Sequence, residues 1–162
     1  MSRSYSVAGS NITIESAAAT LVAINPGTTR GLEFLRAWVG QDANATSAQE
    51  LIEIGTKATT FSTLTAATPA KLKTSDPVSE IQGATNGAAG KAGIDATTEG
   101  AGSTTIIWPD AFNVLNGWLW VPTPRETIVF PASSSLACTL KFAAAPTTLT
   151  SWTFGMIYAE LG

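Results

Sequence analysis

The stretch that decides the fold is a pair of short apolar runs joined by a proline-rich corner. It reads Gly117-Trp118-Leu119-Trp120-Val121-Pro122-Thr123-Pro124-Arg125-Glu126-Thr127-Ile128-Val129-Phe130-Pro131. Each run is too short for a helix and is rich in Trp, Ile, Val and Phe, which is typical of buried strands. Proline lacks an N–H donor and fits poorly inside a central strand, so it marks the end of each run. The stretch predicts two buried strands joined by a rigid corner.

Two alternating runs follow the corner, at residues 136–142 and 152–158. Side chains in a strand point to opposite faces in turn, so every second residue shares a face. The apolar faces are Leu136, Cys138, Leu140 and Phe142 in the first run, and Trp152, Phe154, Met156 and Tyr158 in the second. We predict that these two strands and the two around the corner form a block against which the remaining chain packs.

Short strand-like runs separated by turn signals precede this block. They are Ile12–Ile14, Ala19–Ile24, Gly31–Val39, Ala70–Lys73 and Thr104–Pro109. Within the third run, Leu32, Phe34 and Trp38 are expected to share a face. Residues 47–55 fit either a short helix or a strand, and the alternation around Ile52 and Ile54 favours a strand. Residues 110–115 are predicted to make a helical turn.

Two segments are predicted to lie outside the regular structure. Residues 1–10 are small and polar and are assigned as a flexible N-terminal arm, with a first edge strand as the alternative. Residues 76–103 are dominated by Ala, Gly, Thr and Ser and are assigned as a long loop insertion. The remaining pattern, with turn signals every few residues, predicts one domain over residues 11–162: an all-β antiparallel sandwich of jelly-roll or Greek-key type.

Composition and charge bound the functional classes. Charged residues make up 13% of the chain and the net charge is −3. The basic residues are scattered, and nucleic-acid binding normally requires a basic stripe, so no nucleic-acid partner is expected. The apolar runs are far shorter than a membrane span, and the first residues do not form a secretion signal. We therefore expect no membrane association and no secretion.

The residue types present restrict the chemistry. The sequence contains no histidine and one cysteine, Cys138. A Ser-His-Asp triad, a Cys-His pair and His-ligated zinc all require histidine, so they are excluded. The acids on or near strands are Glu33, Glu50, Glu53, Asp110, Glu126 and Glu160. Of these, Glu53 and Glu160 are expected to be buried and paired, with Arg36 or Arg125 as the partner. We predict no enzyme activity and no catalytic, metal or cofactor-binding residues.

Aromatic residues suggest contact surfaces instead. The five tryptophans could fill the core, a subunit interface or a sugar-binding platform, and core or interface is favoured. The residues selected as candidates for a subunit or capsid interface are Tyr5, Trp108, Trp118, Trp120 and Arg125.

Three segments carry a resemblance to a known group of proteins. They are Glu53-Ile54-Gly55, then residues 117–127 of the corner, and the closing Tyr158-Ala159-Glu160-Leu161. Together they resemble small virion proteins of tailed phages, some of which are similar to jelly-roll capsid decoration (cement) proteins. The resemblance implies a non-enzymatic protein present in many copies on the capsid surface, made in the host cytoplasm and commonly trimeric. Its partners would be the major capsid protein and copies of itself. The alternative is a carbohydrate-binding sandwich module of a virion fibre or tail, with a glycan as ligand.

Overall fold

The two sheets of the fold are seen in a computed structural model that describes residues 3–16, 20–43, 46–58 and 63–162. Within these ranges the chain forms strands and no helix. The strands are β1 (Arg3–Ile12), β2 (Thr20–Ile24), β3 (Gly31–Gln41), β4 (Gln49–Lys57), β5 (Thr63–Ala66), β6 (Ala70–Lys71), β7 (Gln82–Gly83), β8 (Lys91–Thr98), β9 (Thr104–Asn113), β10 (Trp118–Trp120), β11 (Ile128–Phe130), β12 (Ala137–Phe142) and β13 (Trp152–Leu161). The predicted all-β class is confirmed, and β4 confirms the strand preference for residues 47–55. Ala19, the start of one predicted run, lies outside the described residues.

The strand order is that of a jelly roll. In sheet A, β1 pairs with β13, β13 with β3, and β3 with both β10 and β11. In sheet B, β2 pairs with β12, β12 with β4, and β4 with β9. All these pairs are antiparallel, and the chain winds back and forth between the sheets as two Greek keys do. The predicted antiparallel jelly-roll sandwich is therefore confirmed.

The assignment of residues 76–103 as a loop is wrong for residues 82–83 and 91–98, which form strands. The segment contains β8, which lies inside sheet B between β5 and β2. Its buried side chains are mostly small, with Ala92 and Ala96 beside Ile94. A Cβ on Gly93 would stand 2.7 Å from Leu64 Cβ, so this strand needs small residues where it meets β5. Small side chains give a weak hydrophobic signal, which explains why the strand looks like a loop in the sequence.

The assignment of residues 1–10 as a flexible arm is also wrong for the described residues 3–10. They belong to β1, which pairs with β13 on one side and with the short β6 on the other. Tyr5 and Val7 point into the sandwich and are buried. The strand looks polar because its outward positions are serines and alanine, while its inward positions are held by two large side chains and Gly9.

The predicted four-strand block is divided between the two sheets. The strand β12 lies in sheet B, whereas β10, β11 and β13 lie in sheet A. The two strands around the corner, β10 and β11, pair one after the other with the same edge of β3. Together they act as one edge strand that is interrupted by residues 121–127. The predicted helical turn at residues 110–115 is wrong, because β9 continues to Asn113 and a turn follows.

A β-bulge in β3 overturns the expected position of Trp38. Phe34 pairs with Tyr158 and Arg36 with Ile157, so Leu35 is an extra residue in β3. Inserting one residue reverses the faces of everything that follows. Leu32 and Phe34 point inward as predicted, but beyond the bulge Ala37 is buried and Trp38 lies on the outer face of sheet A.

The core lies between the sheets and is rich in aromatic rings. The predicted inward faces of β12 and β13 are confirmed. The buried core contains Cys138, Leu140 and Phe142 of β12 and Trp152, Phe154, Met156 and Tyr158 of β13. Leu136 is partly buried and packs at the margin of this core. The ring centroids of Phe142 and Trp152 are 4.8 Å apart, and Phe112 packs against both. This cluster joins sheet A to sheet B.

Trp38 and Gly155 provide a test of packing on the outer face of sheet A. A Cβ on Gly155 would overlap Trp38 Cζ2 and stand 2.8 Å from Ala8 Cβ. We expect Gly155→Ala to lower the free energy of unfolding by about 1–3 kcal/mol, because overpacking displaces the indole. The matched control is Gly40→Ala in the neighbouring strand, where a Cβ would meet nothing within 4 Å. Urea unfolding of both variants checks this, and equal stability of the two would contradict the packing.

Candidate contact surface

The large hydrophobic side chains that remain exposed are concentrated on one edge of the sandwich. Of the ten that are exposed among the described residues, six lie on β9, on β10 and the residue after it, and on β11. We call these six the apolar edge: Ile106, Ile107, Trp108, Leu119, Val121 and Val129. Large contiguous apolar surface is uncommon on monomeric proteins and marks sites of contact with other molecules.

The apolar edge exists because β9 is the last strand of sheet B. It pairs with β4, and no described strand pairs with its other side. Its residues 105–111 are all exposed, although Ile106, Ile107 and Trp108 are hydrophobic. Exposed strand edges attract other strands, and proteins block this with prolines and bulges. Both devices are present, since β9 contains Pro109 and carries Ile107 as an extra residue opposite Ile54 and Gly55.

Two contacts hold the edge of sheet B against the edge of sheet A. The rings of Trp108 and Trp120 meet edge to face, with centroids 6.4 Å apart. The indole Nε1 of Trp118 donates a hydrogen bond of 2.9 Å to Asp110 Oδ2. Because Trp118 and Trp120 are paired with β3, these contacts place β9 directly beside β10. The two strands therefore border the same side of the sandwich, with Leu119 on the outer face of sheet A beside Trp38 and Ile106 on the outer face of sheet B beside Glu53.

The corner between β10 and β11 is stabilised by its own residues. Thr123 Oγ1 donates to Glu126 Oε2 at 2.9 Å, and the N–H of Glu126 donates to the carbonyl of Thr123. This closes a turn over residues 123–126 with Pro124 at its second position, where proline is favoured. Arg125 occupies the next position of the turn and is exposed. It forms no hydrogen bond or ion pair with the described residues.

Some of the predicted interface residues are buried and others are exposed. Tyr5, Trp118 and Trp120 are buried within the chain, so they do not form an accessible surface in this fold. The alternation of β1 and β10 points these large side chains into the sandwich. Trp108 is 37% exposed and Arg125 is exposed, and both lie on or beside the apolar edge. Their role in a contact remains a prediction.

Of the six residues of the apolar edge, the sequence analysis selected only Trp108 as an interface candidate. Leu119 could have been found, because it lies between two tryptophans that share the inner face and must therefore point outward. Ile106 and Ile107 could not be found in this way, since a run that is apolar at consecutive positions predicts a buried strand. Their exposure follows from the position of β9 at the end of its sheet, which depends on pairing with a distant segment.

The two acids that the sequence singles out, Glu53 and Glu160, lie in different environments. Glu160 is buried and paired as predicted, but its partner is Arg30, with Nη1 2.9 Å from Oε2, and not Arg36 or Arg125. Glu53 is half-buried and makes no ion pair with a described residue, so the prediction for it is wrong. The described residues include no group of three or more side chains able to hold a metal ion.

The carboxylate of Glu160 organises one end of the sandwich. Its Oε1 accepts hydrogen bonds of 2.6 Å from Ser79 Oγ and 2.7 Å from the N–H of Glu80. Ser79 Oγ also lies 2.7 Å from the Tyr158 hydroxyl. Burial raises the pKa of Tyr158 well above its usual value, so the phenol stays protonated. The carboxylate therefore holds residues 79–80 over the core and is fully engaged in structure.

Two further observations concern the cysteine and the lipid bilayer. Burial raises the pKa of the Cys138 thiol well above its usual value, so the group stays in the unreactive thiol form. The described part of the chain also contains no helix with the length and hydrophobicity to cross a lipid bilayer.

No protein-family model, no curated protein and no solved structure matches the chain.

The Glu160 network can be tested by removing its charge. We expect Glu160→Gln to lower the free energy of unfolding by about 2–4 kcal/mol, because the amide cannot accept from Arg30 and Glu80 equally well and leaves a partly buried cation unpaired. Glu33→Gln, on the outer face of the same sheet, is the control and is expected to change stability by less than about 0.5 kcal/mol. Thermal and urea unfolding measure both. A Glu160 variant as stable as the control would show that the network does not contribute.

Proposed function

We propose that this protein is a non-enzymatic structural subunit of a virus particle, a decoration (cement) protein that stabilises a phage head by bridging capsomers. The observation that carries the proposal is the apolar edge, which gives a jelly-roll sandwich exposed apolar side chains on the outermost strands of both sheets. The assignment to a virion is supported by the resemblance of the three segments described above. It places the protein on the capsid surface, with the major capsid protein as its partner.

The properties of the surface favour a protein partner over a small ligand. Its exposed side chains are aliphatic and aromatic. Burial of such groups stabilises a contact by about 25 cal/mol for each Å² of apolar surface removed from water. The interlocked turn at residues 123–126 and the contacts between Trp108 and Trp120 hold the surface in place before binding. A preformed surface loses little conformational entropy when it docks.

A decoration role requires only modest affinity at each contact. Subunits arrayed on a shell engage several neighbours at once, and simultaneous engagement multiplies weak affinities. Low charge suits this role, because association then depends little on ionic strength. Self-association as a trimer, which the resemblance implies, is part of the proposal.

The decisive measurement is the copy number of this polypeptide in purified particles of the source virus or prophage. We expect a number comparable to that of the major shell protein, because a decoration subunit occupies repeated positions. A few copies per particle would favour a fibre or tail component, and complete absence would overturn the virion role. Mass spectrometry with labelled peptides of both proteins makes the comparison.

Binding to shells can then be assigned to the apolar edge. Leu119→Asp is expected to reduce co-sedimentation with undecorated shells by about tenfold or more, because it places a charge in a desolvated contact. The control is Leu72→Asp, a similarly exposed leucine elsewhere on the molecule. Equal binding by the two variants would show that another surface makes the contact.

The alternative function is binding of a glycan. Trp118 and Trp120 are buried, so neither offers an accessible ring face for a sugar. Trp108 is accessible but leans edge to face on Trp120. We expect its fluorescence to be unchanged by a broad glycan panel. A response that disappears in Trp108→Phe would favour the fibre or tail module instead.

A further inference from the structure

We propose that Asn86 is a site of spontaneous deamidation, and that the modified residue weakens the contact between its loop and the buried Asn25. The inference goes beyond the proposed function and does not depend on it. The sequence contains two Asn-Gly dipeptides, Asn86-Gly87 and Asn116-Gly117. The structure distinguishes them, because it leaves the reacting groups of the first unbonded and restrains the second.

The reaction uses the main-chain nitrogen of the glycine as its nucleophile. The nitrogen of Gly87 attacks Cγ of Asn86, the Cγ–Nδ2 bond breaks, and ammonia leaves with the proton that the glycine nitrogen gives up. Water then opens the resulting five-membered succinimide at one of its two carbonyls. Opening at Cγ produces aspartate, and opening at the main-chain carbonyl produces isoaspartate. Glycine favours the reaction because it has no Cβ to obstruct the attack and its backbone adopts the required conformation at little cost.

The reacting groups at Asn86 are accessible and unbonded. Asn86 is exposed and lies at a bend in the loop between β7 and β8. Neither its side chain nor its main-chain N–H and C=O forms a hydrogen bond with a described residue. The N–H of Gly87 is also without a hydrogen bond to the described part of the chain. No hydrogen bond therefore has to break before the nitrogen attacks.

Asn116 precedes a glycine as well, but its main chain is restrained on both sides. Its N–H donates to the carbonyl of Asn113 at 3.0 Å, and the N–H of Leu115 donates to Asn113 Oδ1 at 3.0 Å. Gly117 has a φ of 67° and leads directly into β10, where Trp118 pairs with β3. Closing the succinimide ring requires rotation of the main chain at Asn116, which these contacts oppose. Deamidation there has to wait for local opening of the turn.

The loop that contains Asn86 supports a buried side chain. Asn25 follows β2 and is buried, and its Nδ2 donates to the carbonyl of Gly87 at 3.0 Å. Its Oδ1 is buried without a hydrogen-bond partner among the described residues, so the amide depends on this bond. Isoaspartate adds one carbon atom to the main chain of a loop that is also fixed by the N–H of Gly90, which donates to the carbonyl of Pro26 at 2.8 Å. The extra atom displaces the Gly87 carbonyl and leaves a buried donor unsatisfied, which is destabilising.

The test is incubation of the whole folded chain at mildly alkaline pH, with peptide mass mapping of samples taken over time. Deamidation raises the mass of a peptide by one unit, and an isoaspartyl methyltransferase detects the isoaspartate. We expect Asn86 to be converted about tenfold faster than Asn116, because two hydrogen bonds hold the turn at Asn116. The control is Asn86→Gln, which keeps an exposed amide but would have to close a six-membered ring. It is expected to remain unmodified at this position.

Thermal unfolding of the modified fraction, separated by ion exchange, measures the effect on Asn25. We expect the isoaspartate form to melt about 3–8 °C below the unmodified chain, because the buried amide loses its partner. Asn86→Asp has the same charge without the added main-chain atom and is expected to melt within about 2 °C of the wild type. A chain that stays unmodified at Asn86, conversion of Asn116 at an equal or higher rate, or an isoaspartate form as stable as Asn86→Asp would each overturn the inference.

Discussion

The contact between Phe142 and Trp152 is the interaction on which the rest of the fold depends. It joins the central strand of sheet A to the middle of sheet B, with ring centroids 4.8 Å apart. Each ring belongs to a strand with paired neighbours on both sides, so the contact sets the spacing of the two sheets for all the others. Aromatic pairs contribute beyond the area they bury. The Glu160 network closes the same core at the end of the sandwich near Tyr158.

The jelly-roll order then determines where the molecule can meet others. Once β13 lies between β1 and β3, and β12 between β2 and β4, three strands of the intervening chain are left as the outermost strands next to β4 and β3. These are β9 in sheet B and β10 with β11 in sheet A. The side chains of Ile106, Ile107 and Trp108 therefore lie on an outermost strand, and their exposure is a consequence of the winding.

The sequence predicts the parts of this fold that depend on local alternation. The inward face of residues 152–158 and the class of sandwich follow from a period of two, which is a property of neighbouring residues. The bulge at Leu35 and the burial of β8 behind small side chains have no comparable local signal, because each depends on the strand opposite. The same reason explains Glu160: its burial follows from alternation beyond Tyr158, whereas Arg30 as its partner comes from a loop far away in the chain.

The edge strand β9 combines two properties that usually conflict: its main chain is blocked from pairing with other strands, and its side chains are apolar and exposed. A free strand edge must be kept from pairing with other chains, and charged side chains or prolines are the usual means. Here β9 uses Pro109 and a bulge for this purpose and keeps an unbroken apolar run before the proline. If the edge only had to stay unpaired, a charge in place of Ile107 would serve better. Since the main chain is blocked while the side chains remain hydrophobic and exposed, β9 favours contact through its side chains over extension of the sheet.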